Sequence, residues 1–198
     1  MCCPLEFFSL MFFSIFVLHK RGEVLGIASS TIKVGCGWDM KGTKSIDLDA
    51  SVVGFTTKKA FEECCFYGKT NIFNGAVTHS GDNQSGAGEG DDETILVNLT
   101  AIPAHIGYLC IIVNSYSGDS FTGIANAYVR LLDEQDQETH RYPLTSCGDG
   151  TGYIMATLFR DSNHAGGFSI KAHGELANGK TYKVMQPKME ELIAKIKM

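Results

Sequence analysis

The segment His79-Ser-Gly-Asp-Asn-Gln-Ser-Gly-Ala-Gly-Glu-Gly-Asp-Asp-Glu93 combines five carboxylates, one asparagine amide and two hydroxyls with four glycines. No lysine or arginine occurs between residues 70 and 129, whereas the whole 198-residue chain has a net charge of only −5. Like charges crowded on a short loop repel one another and raise the pKa of their neighbours. The segment therefore predicts a glycine-rich loop that a multivalent cation holds in one conformation.

The donor atoms of this loop favour calcium among the common metal ions. Calcium takes about six to eight oxygen ligands at roughly 2.3–2.6 Å in flexible geometry, whereas magnesium prefers a strict octahedron and keeps several waters. Zinc, copper and iron prefer cysteine or histidine ligands, and the loop offers only His79 at its edge. The glycines also allow backbone carbonyls to turn inward as further oxygen ligands.

The loop does not have the EF-hand pattern, although Asp82 and Glu93 stand at positions one and twelve of such a loop. Ala87 occupies the position at which an EF-hand requires glycine. Residues 94–99, which follow the loop, form a short β-type run rather than a helix. We therefore reject an EF-hand.

A second acidic pair lies upstream, in Ile46-Asp-Leu-Asp-Ala-Ser51. Side chains alternate along a strand, so Asp47 and Asp49 share one face while Leu48 points the other way. Two carboxylates at this spacing form half of a metal site or a pair that shares a proton, and a solvated strand edge is the simpler alternative. The metal-site interpretation gains support only because the acidic loop offers a second cluster that can converge with this pair.

The rest of the chain consists largely of short β-type runs separated by Gly-Asp, Asn-Gly and Ser-Gly turn signals. The predicted strands are residues 31–38, 48–57, 94–99, 108–115, 124–132, 139–144, 153–160 and 168–173. This spacing predicts an all-β fold, an antiparallel β-sandwich of about eight to ten strands. A C-terminal amphipathic helix follows. Pro187 suits its first turn, and its apolar face carries Met189, Leu192, Ile193 and Ile196.

The N-terminal part differs in composition from the rest and divides the chain into an apolar leader, residues 1–21, and one globular domain, residues 22–198. Residues 7–18 are apolar and uncharged, and Lys20 and Arg21 follow soon after. The run lacks the basic start and cleavage site of a signal peptide, so the sequence favours secretion least. Residues 5–18 either anchor the domain to the cytoplasmic face of a membrane, or the translation start is assigned too early.

Composition excludes some partners and indicates the compartment. The sequence pI of about 5.6 and the lack of a basic patch argue against nucleic-acid binding. The seven cysteines follow neither a disulfide framework nor a zinc-site spacing, which predicts reduced thiols and a cytoplasmic location.

Several blocks of the sequence together resemble the TerD family of tellurium-resistance and stress-response proteins, over about residues 31–198. They are Gly37-Trp-Asp39, Asp47-Leu-Asp-Ala-Ser51, the acidic segment, Asn126-Ala-Tyr-Val-Arg-Leu131 and Gly166-Gly-Phe-Ser-Ile-Lys-Ala-His-Gly174. The resemblance implies a β-sandwich that binds calcium where the loops gather at one end. Carried over by position, the candidate metal residues are Asp39, Asp47, Asp49, Asp82, Asn83, Glu89, Asp91, Asp92 and Glu93. Family members usually begin with a β-hairpin, whose place is taken here by the leader and residues 20–30.

Three functions remain open at the level of sequence, and no catalytic residue is predicted. The preferred one is a non-enzymatic stress-response module, in which calcium orders the acidic loop for a protein partner or a membrane-associated complex. A cyclic-nucleotide-binding protein is the alternative, since a slime-mould relative is described as binding cyclic AMP. A metal-dependent hydrolase is the third, but catalytic motifs are poor. Gly68-Lys-Thr70 resembles the end of a phosphate-binding loop whose earlier glycine is replaced here by Glu63.

Overall fold

The computed structural model describes residues 21–39, 46–164 and 166–197. These residues form two six-stranded antiparallel sheets and one C-terminal helix, which confirms the predicted all-β sandwich. The strands are β1 (Val24–Gly26), β2 (Thr31–Asp39), β3 (Leu48–Thr56), β4 (Phe61–Cys65), β5 (Asn71–Ile72), β6 (Val77–His79), β7 (Glu93–Asn98), β8 (Ile106–Ser115), β9 (Ala125–Leu132), β10 (Glu138–Pro143), β11 (Gly152–Arg160) and β12 (Phe168–Ala177). The helix α1 spans Tyr182–Ala194.

All eight predicted strands are present, and β1, β4, β5 and β6 bring the total in the described residues to twelve. Three of the additional strands have only two or three residues, too few for an alternating pattern to show in the sequence. The fourth, β4, reads Phe-Glu-Glu-Cys-Cys, and glutamate is depleted in strands. Cross-strand pairing rather than local preference therefore determines these four strands.

The two sheets pack face to face around a common core. Sheet one has the strand order β1-β12-β11-β8-β3-β4, and sheet two has the order β10-β9-β2-β7-β6-β5. Alternation along β2 sends Ile32, Val34 and Trp38 into the core, whereas Lys33 lies outside it. Sheet one is covered on both faces, because the helix packs on the side that faces away from sheet two.

The C-terminal helix covers the outer face of sheet one and begins one turn earlier than its proline suggested. Pro187 lies inside α1, five residues after its start at Tyr182, so the expected first-turn position is wrong. The extra turn brings Met185 onto β11, where a β-carbon on residue 152 would lie 2.8 Å from the Met185 sulfur. Glycine at residue 152 leaves the space that this contact needs. The four predicted apolar residues are all buried against sheet one, but Ile196 follows the end of the helix at Ala194.

The N-terminal residues close one edge of sheet one. β1 pairs antiparallel with β12, with Val24 opposite Lys171, and β2 then enters sheet two. Part of the β12 edge that a missing hairpin would expose is therefore paired. The predicted leader lies outside the described residues except for Arg21. No helix in the described part of the chain is long and apolar enough to span a membrane.

The cysteines that the structure describes are all free thiols. Cys65 lies in the core between the sheets, whereas its neighbour Cys64 lies between sheet one and α1. Neighbouring side chains on a strand point to opposite faces, and here both thiols are buried packing residues.

We expect Met189→Ala to lower the free energy of unfolding by about 2–5 kcal/mol, because it leaves a cavity between the helix and sheet one. Val184→Ala on the exposed face of the same helix is the matched control, since Val184 is 62% exposed. Its loss should stay within about 0.5 kcal/mol. Urea unfolding followed by circular dichroism measures both changes, and equal losses would contradict the packing described for α1.

Candidate metal centre

Three of the predicted acidic residues meet at one end of the sandwich. Asp47 and Asp49 come from the start of β3, and Asp82 comes from the loop between β6 and β7. One carboxylate oxygen from each lies within 4.8 Å of the others. The strand pair and the acidic loop thus converge on one point, and all three donors are hard oxygens of the kind that calcium prefers.

The hydrogen bonding of this acidic cluster leaves buried oxygen atoms without donors. Asp49 is only 2% exposed, and its Oδ2 accepts a 3.0 Å hydrogen bond from Asn114 Nδ2. Its Oδ1 has no hydrogen-bond partner, and the buried Oδ1 of Asp47 has none either. A buried polar atom without a partner costs free energy, about 1–3 kcal/mol in proteins. A cation between the three carboxylates would remove this cost, so the residues fit a metal ion.

Burial and mutual repulsion disfavour the charged forms of this cluster in the absence of a cation. Burial, and after it the charges of Asp47, Glu93 and Asp82, raises the pKa of Asp49 to about 8. Burial and the charges of Asp82 and Glu93 raise the pKa of Asp47 to about 6. The cluster therefore exchanges protons near neutral pH, and a bound cation would displace them.

Glu93 fastens the C-terminal end of the acidic loop to sheet one. Its side chain is completely buried, Oε2 accepts from Ala50 N on β3 at 2.9 Å, and Oε1 accepts from Asn83 N at 3.3 Å. His79 Nδ1 accepts a hydrogen bond from Gly81 N, so the neutral ring carries its proton on Nε2. That nitrogen lies 3.4 Å from Glu93 Oε2 but is not aligned for a hydrogen bond, so we treat it as an electrostatic contact.

Asn83 and Asp92 hold the two arms of the loop together. Asn83 Nδ2 donates to Asp92 Oδ1 at 2.9 Å, and Trp38 N donates to Asp92 Oδ2 at 2.9 Å. Asn83 Oδ1 accepts from the backbone N–H of Gly86, which has a φ of +64° and packs against the Trp38 indole. A side chain at residue 86 would collide with this indole, and the positive φ also favours glycine. Both constraints therefore require glycine at this position.

Asp91 points to a different place from its neighbour Asp92. Arg130 Nε and Nη2 donate to its two oxygens at 2.8 and 3.0 Å, and the Tyr128 hydroxyl donates to Oδ1 at 3.0 Å. This ion pair lies on the outer face of sheet two, over Gly35, whose missing side chain leaves room for the carboxylate. The structure therefore does not bring Asp91 together with Asp47, Asp49 and Asp82.

The two remaining predicted residues also lie apart from the cluster. Asp39, at the exposed end of β2, accepts a hydrogen bond from Asn126 Nδ2. Glu89 is exposed near the tip of the loop. Neither belongs to the group of three carboxylates whose oxygens converge.

Asn114 and Arg130 are site residues that sequence reasoning missed. Asn114 stands opposite Asp49 in the β3–β8 register, where it orients that carboxylate. Arg130 lies in a block already quoted for the family resemblance, but only the β2–β9 pairing places it opposite Gly35 and under Asp91. The sequence signal for Asn114 was its position among the apolar residues of β8.

Comparison with known proteins agrees with this architecture. Residues 20–186 match the sequence model of the TerD domain. The chain belongs to the TerD family. Tellurium resistance protein TerZ of Serratia marcescens is 38% identical over 165 residues, which cover 78% of this chain and 84% of TerZ. General stress protein 16U of Bacillus subtilis (strain 168) is 36% identical over 160 residues, which cover 73% of this chain and 80% of that protein.

A solved structure supports the fold independently. The crystal structure of a homologue of the telluride resistance protein TerD from Streptomyces coelicolor A3(2) superposes with a TM-score of 0.72. The match covers 82% of this chain and 98% of that chain at 14% identity, so it concerns the fold alone. The predicted membership of the TerD family is confirmed by the sequence matches.

Asp49→Asn should change how stability depends on pH in the presence of a chelator. Because the folded-state pKa is raised from 3.8 to about 8, the stabilisation by Asp49 is present below about pH 4 and is lost as the pH rises through 8. Asparagine keeps an acceptor for Asn114 but cannot ionise. We expect the difference in the free energy of unfolding, variant minus natural protein, to increase from about pH 5 to 8. Urea unfolding at each pH measures this difference. Parallel pH profiles would contradict this expectation.

Arg130→Met should loosen the acidic loop and lower the free energy of unfolding by about 1.5–3 kcal/mol, because Asp91 loses its charged hydrogen bonds. Lys33→Met is the matched control, since its partner Asp136 has a side chain that is 69% exposed. Removing that surface ion pair should cost about 0–1 kcal/mol. Hydrogen exchange should accelerate in residues 80–92 only for the Arg130 variant, and unchanged exchange there would refute this role of Arg130.

Proposed function

We propose that this TerD-family protein is a non-enzymatic stress-response module that binds calcium through Asp47, Asp49 and Asp82. The bound ion orders the acidic loop and thereby forms a surface for a protein partner. The observation that carries the proposal is the pair of buried carboxylate oxygens, Asp47 Oδ1 and Asp49 Oδ1, that have no donor. Both belong to the three carboxylates that converge within 4.8 Å.

The donor set supports calcium over other metal ions. Three carboxylates supply negative charge and up to six oxygens, and calcium accepts carboxylate, carbonyl and water oxygens in flexible geometry. None of the three is a thiolate or imidazole of the kind that zinc and copper prefer. In this proposal Asn83, Asp92 and Glu93 shape the loop around the ion, and Asp91 anchors it to sheet two through Arg130.

Calcium would connect the two sheets at this end of the molecule. Asp49 lies on β3 of sheet one and Asp47 directly precedes that strand, whereas the loop that carries Asp82 connects β6 and β7 of sheet two. An ion shared by these residues therefore restricts the loop relative to both sheets. The exposed loop tip, residues 87–90, would become an ordered surface with reduced negative charge, which suits recognition by another protein.

Nucleophilic side chains of the described residues support a non-enzymatic role. Cys110, Thr157 and His173 form a hydrogen-bonded series with distances of 3.2 and 2.8 Å, which resembles a nucleophile with its base. All three are buried, and α1 packs over this face of sheet one. Burial raises the pKa of Cys110 to about 12 and lowers that of His173 to about 4. A thiol in that state is not activated for attack.

The names of the relatives support the stress-response part of the proposal. TerZ of Serratia marcescens is a tellurium resistance protein, and 16U of Bacillus subtilis is a general stress protein. Proteins with these two descriptions share at least 36% sequence identity with this chain over most of its length. We therefore propose a stress-related role for this protein.

Calcium titration of the full-length protein by calorimetry tests this function. We expect saturable binding that raises the melting temperature, because calcium binds the folded state and not the unfolded chain. Asp82→Asn should weaken binding by about 100-fold or more, since even changes to groups around a metal ligand cost about 10–100-fold. Asp136→Asn removes the same charge from an exposed site and should leave the calcium affinity unchanged.

Two outcomes would refute the calcium proposal. One is an absence of heat and of any melting shift at millimolar calcium. The other is equal weakening by the Asp82 and Asp136 variants, which would indicate that calcium is attracted only by net charge.

A further inference from the structure

A cleft of about 140 Å³ opens on the outer face of sheet one beside the acidic cluster. Its polar floor consists of Asp49 and Ser51 on β3 and Asn114 on β8. The amide of Asn114 donates both to Asp49 Oδ2 at 3.0 Å and to the Lys180 carbonyl at 2.8 Å. Asn114 thus links the segment that leads into α1 to an acidic residue of the candidate metal centre, and this segment forms one side of the cleft.

Aromatic rings form the other walls of the cleft. The rings of Phe66 and Tyr67 meet edge to face, with centroids 5.3 Å apart and an interplanar angle of 81°. The ring of Tyr182 lies 5.3 Å from Phe66 at an angle of 51°. All three are half-buried. A cavity of about 150 Å³ holds one benzene-sized ring, so this cleft has the size and the walls for a single planar ring.

The inner end of the cleft is a place where a ligand oxygen would meet a cation. Asp49 lines the cleft, is 2% exposed, and its Oδ1 has no hydrogen-bond partner. The same residue belongs to the carboxylate group with Asp47 and Asp82. An ion held by these carboxylates would lie beside the cleft, because Asp49 belongs to both the carboxylate group and the cleft floor.

The mouth of the cleft carries two cationic side chains. Lys180 and Lys183 line the cleft and are exposed to solvent. Two lysines together with a bound cation attract an anion and repel an organic ammonium. A ligand that combines one ring with a carboxylate matches the walls, the inner end and the mouth.

We propose that this cleft binds small single-ring carboxylates, whose oxygens bind the cation held by Asp47, Asp49 and Asp82. The ring of the ligand packs against Phe66, Tyr67 and Tyr182. This inference rests on the calcium binding proposed above and adds the class of ligand that the ion presents. An aromatic ammonium compound is the competing ligand, because carboxylates and aromatic rings also suit organic cations.

Salicylate is the probe for this inference, and the full-length protein is first titrated with calcium alone. We then expect salicylate to bind saturably to the calcium-loaded protein and about tenfold or more weakly when a chelator is present. Acetate, which has the carboxylate but no ring, should bind about tenfold or more weakly than salicylate. Benzylammonium should not compete with salicylate. Calorimetry measures the affinities, and protein-free titrations correct for direct association of calcium with salicylate.

Two tyrosine variants test whether the wall of the cleft, rather than a neighbouring ring outside it, binds salicylate. Tyr67→Leu removes one wall of the cleft. It should weaken the binding of salicylate by about tenfold and leave the calcium affinity unchanged. Tyr116→Leu is the matched control, because Tyr116 contacts the Tyr67 ring but does not line the cleft. Thermal melting confirms that both variants fold.

The outcomes distinguish this inference from the proposal on which it rests. Calcium binding without salicylate binding overturns the inference alone. Salicylate binding that is equal with chelator, equal in the Tyr67 and Tyr116 variants, or displaced by benzylammonium overturns it as well. An absence of calcium binding overturns the proposed function first, and the present inference with it.

Discussion

Carboxylates organise one end of this protein, and neutral hydrogen-bond donors hold them in place. Glu93 is completely buried, and backbone N–H groups of Ala50 and Asn83 donate to it. Asp92 likewise depends on the Trp38 N–H and the Asn83 amide. These donors fix the acidic loop to both sheets but leave its net charge unchanged. Both ends of the loop are therefore anchored without an ion, and the remaining repulsion falls on Asp47, Asp49 and Asp82, whose carboxylate oxygens converge.

Two of the five acids of the loop, Asp91 and Asp82, have different environments because one cation is built into the fold. Arg130 neutralises Asp91 on the outer face of sheet two, where two glycines of β2 let the loop lie close to the sheet. No such partner faces Asp82 within the described residues, and it lies with Asp47 and Asp49 instead. Asp91 thus anchors the loop through its charge, whereas Asp82 contributes its charge to the candidate metal centre.

Sequence patterns predicted the sandwich and the convergence of Asp47, Asp49 and the loop, because alternation along a strand and local charge density are short-range properties. They did not predict which loop acids face the cluster. Asp91 and Asp92 are adjacent in sequence, and only the register between β2, β7 and β9 places Arg130 beneath the first and Trp38 N beside the second. The early start of α1 also depends on a tertiary contact, the packing of Met185 over Gly152.

The link through Asn114 connects the segment before α1 to the candidate metal centre. Its amide can donate to both Asp49 and the Lys180 carbonyl only while the segment before α1 lies against sheet one. An ion that draws Asp49 into its coordination therefore acts on a residue that also holds this segment and one side of the cleft. Because coupling free energies are reciprocal, an ion that stabilises the segment in this position would itself bind more tightly when a ligand or partner stabilises the segment. The acidic cluster, the cleft and the start of α1 are thus joined by one hydrogen-bonding residue, Asn114, although they lie in separate parts of the sequence.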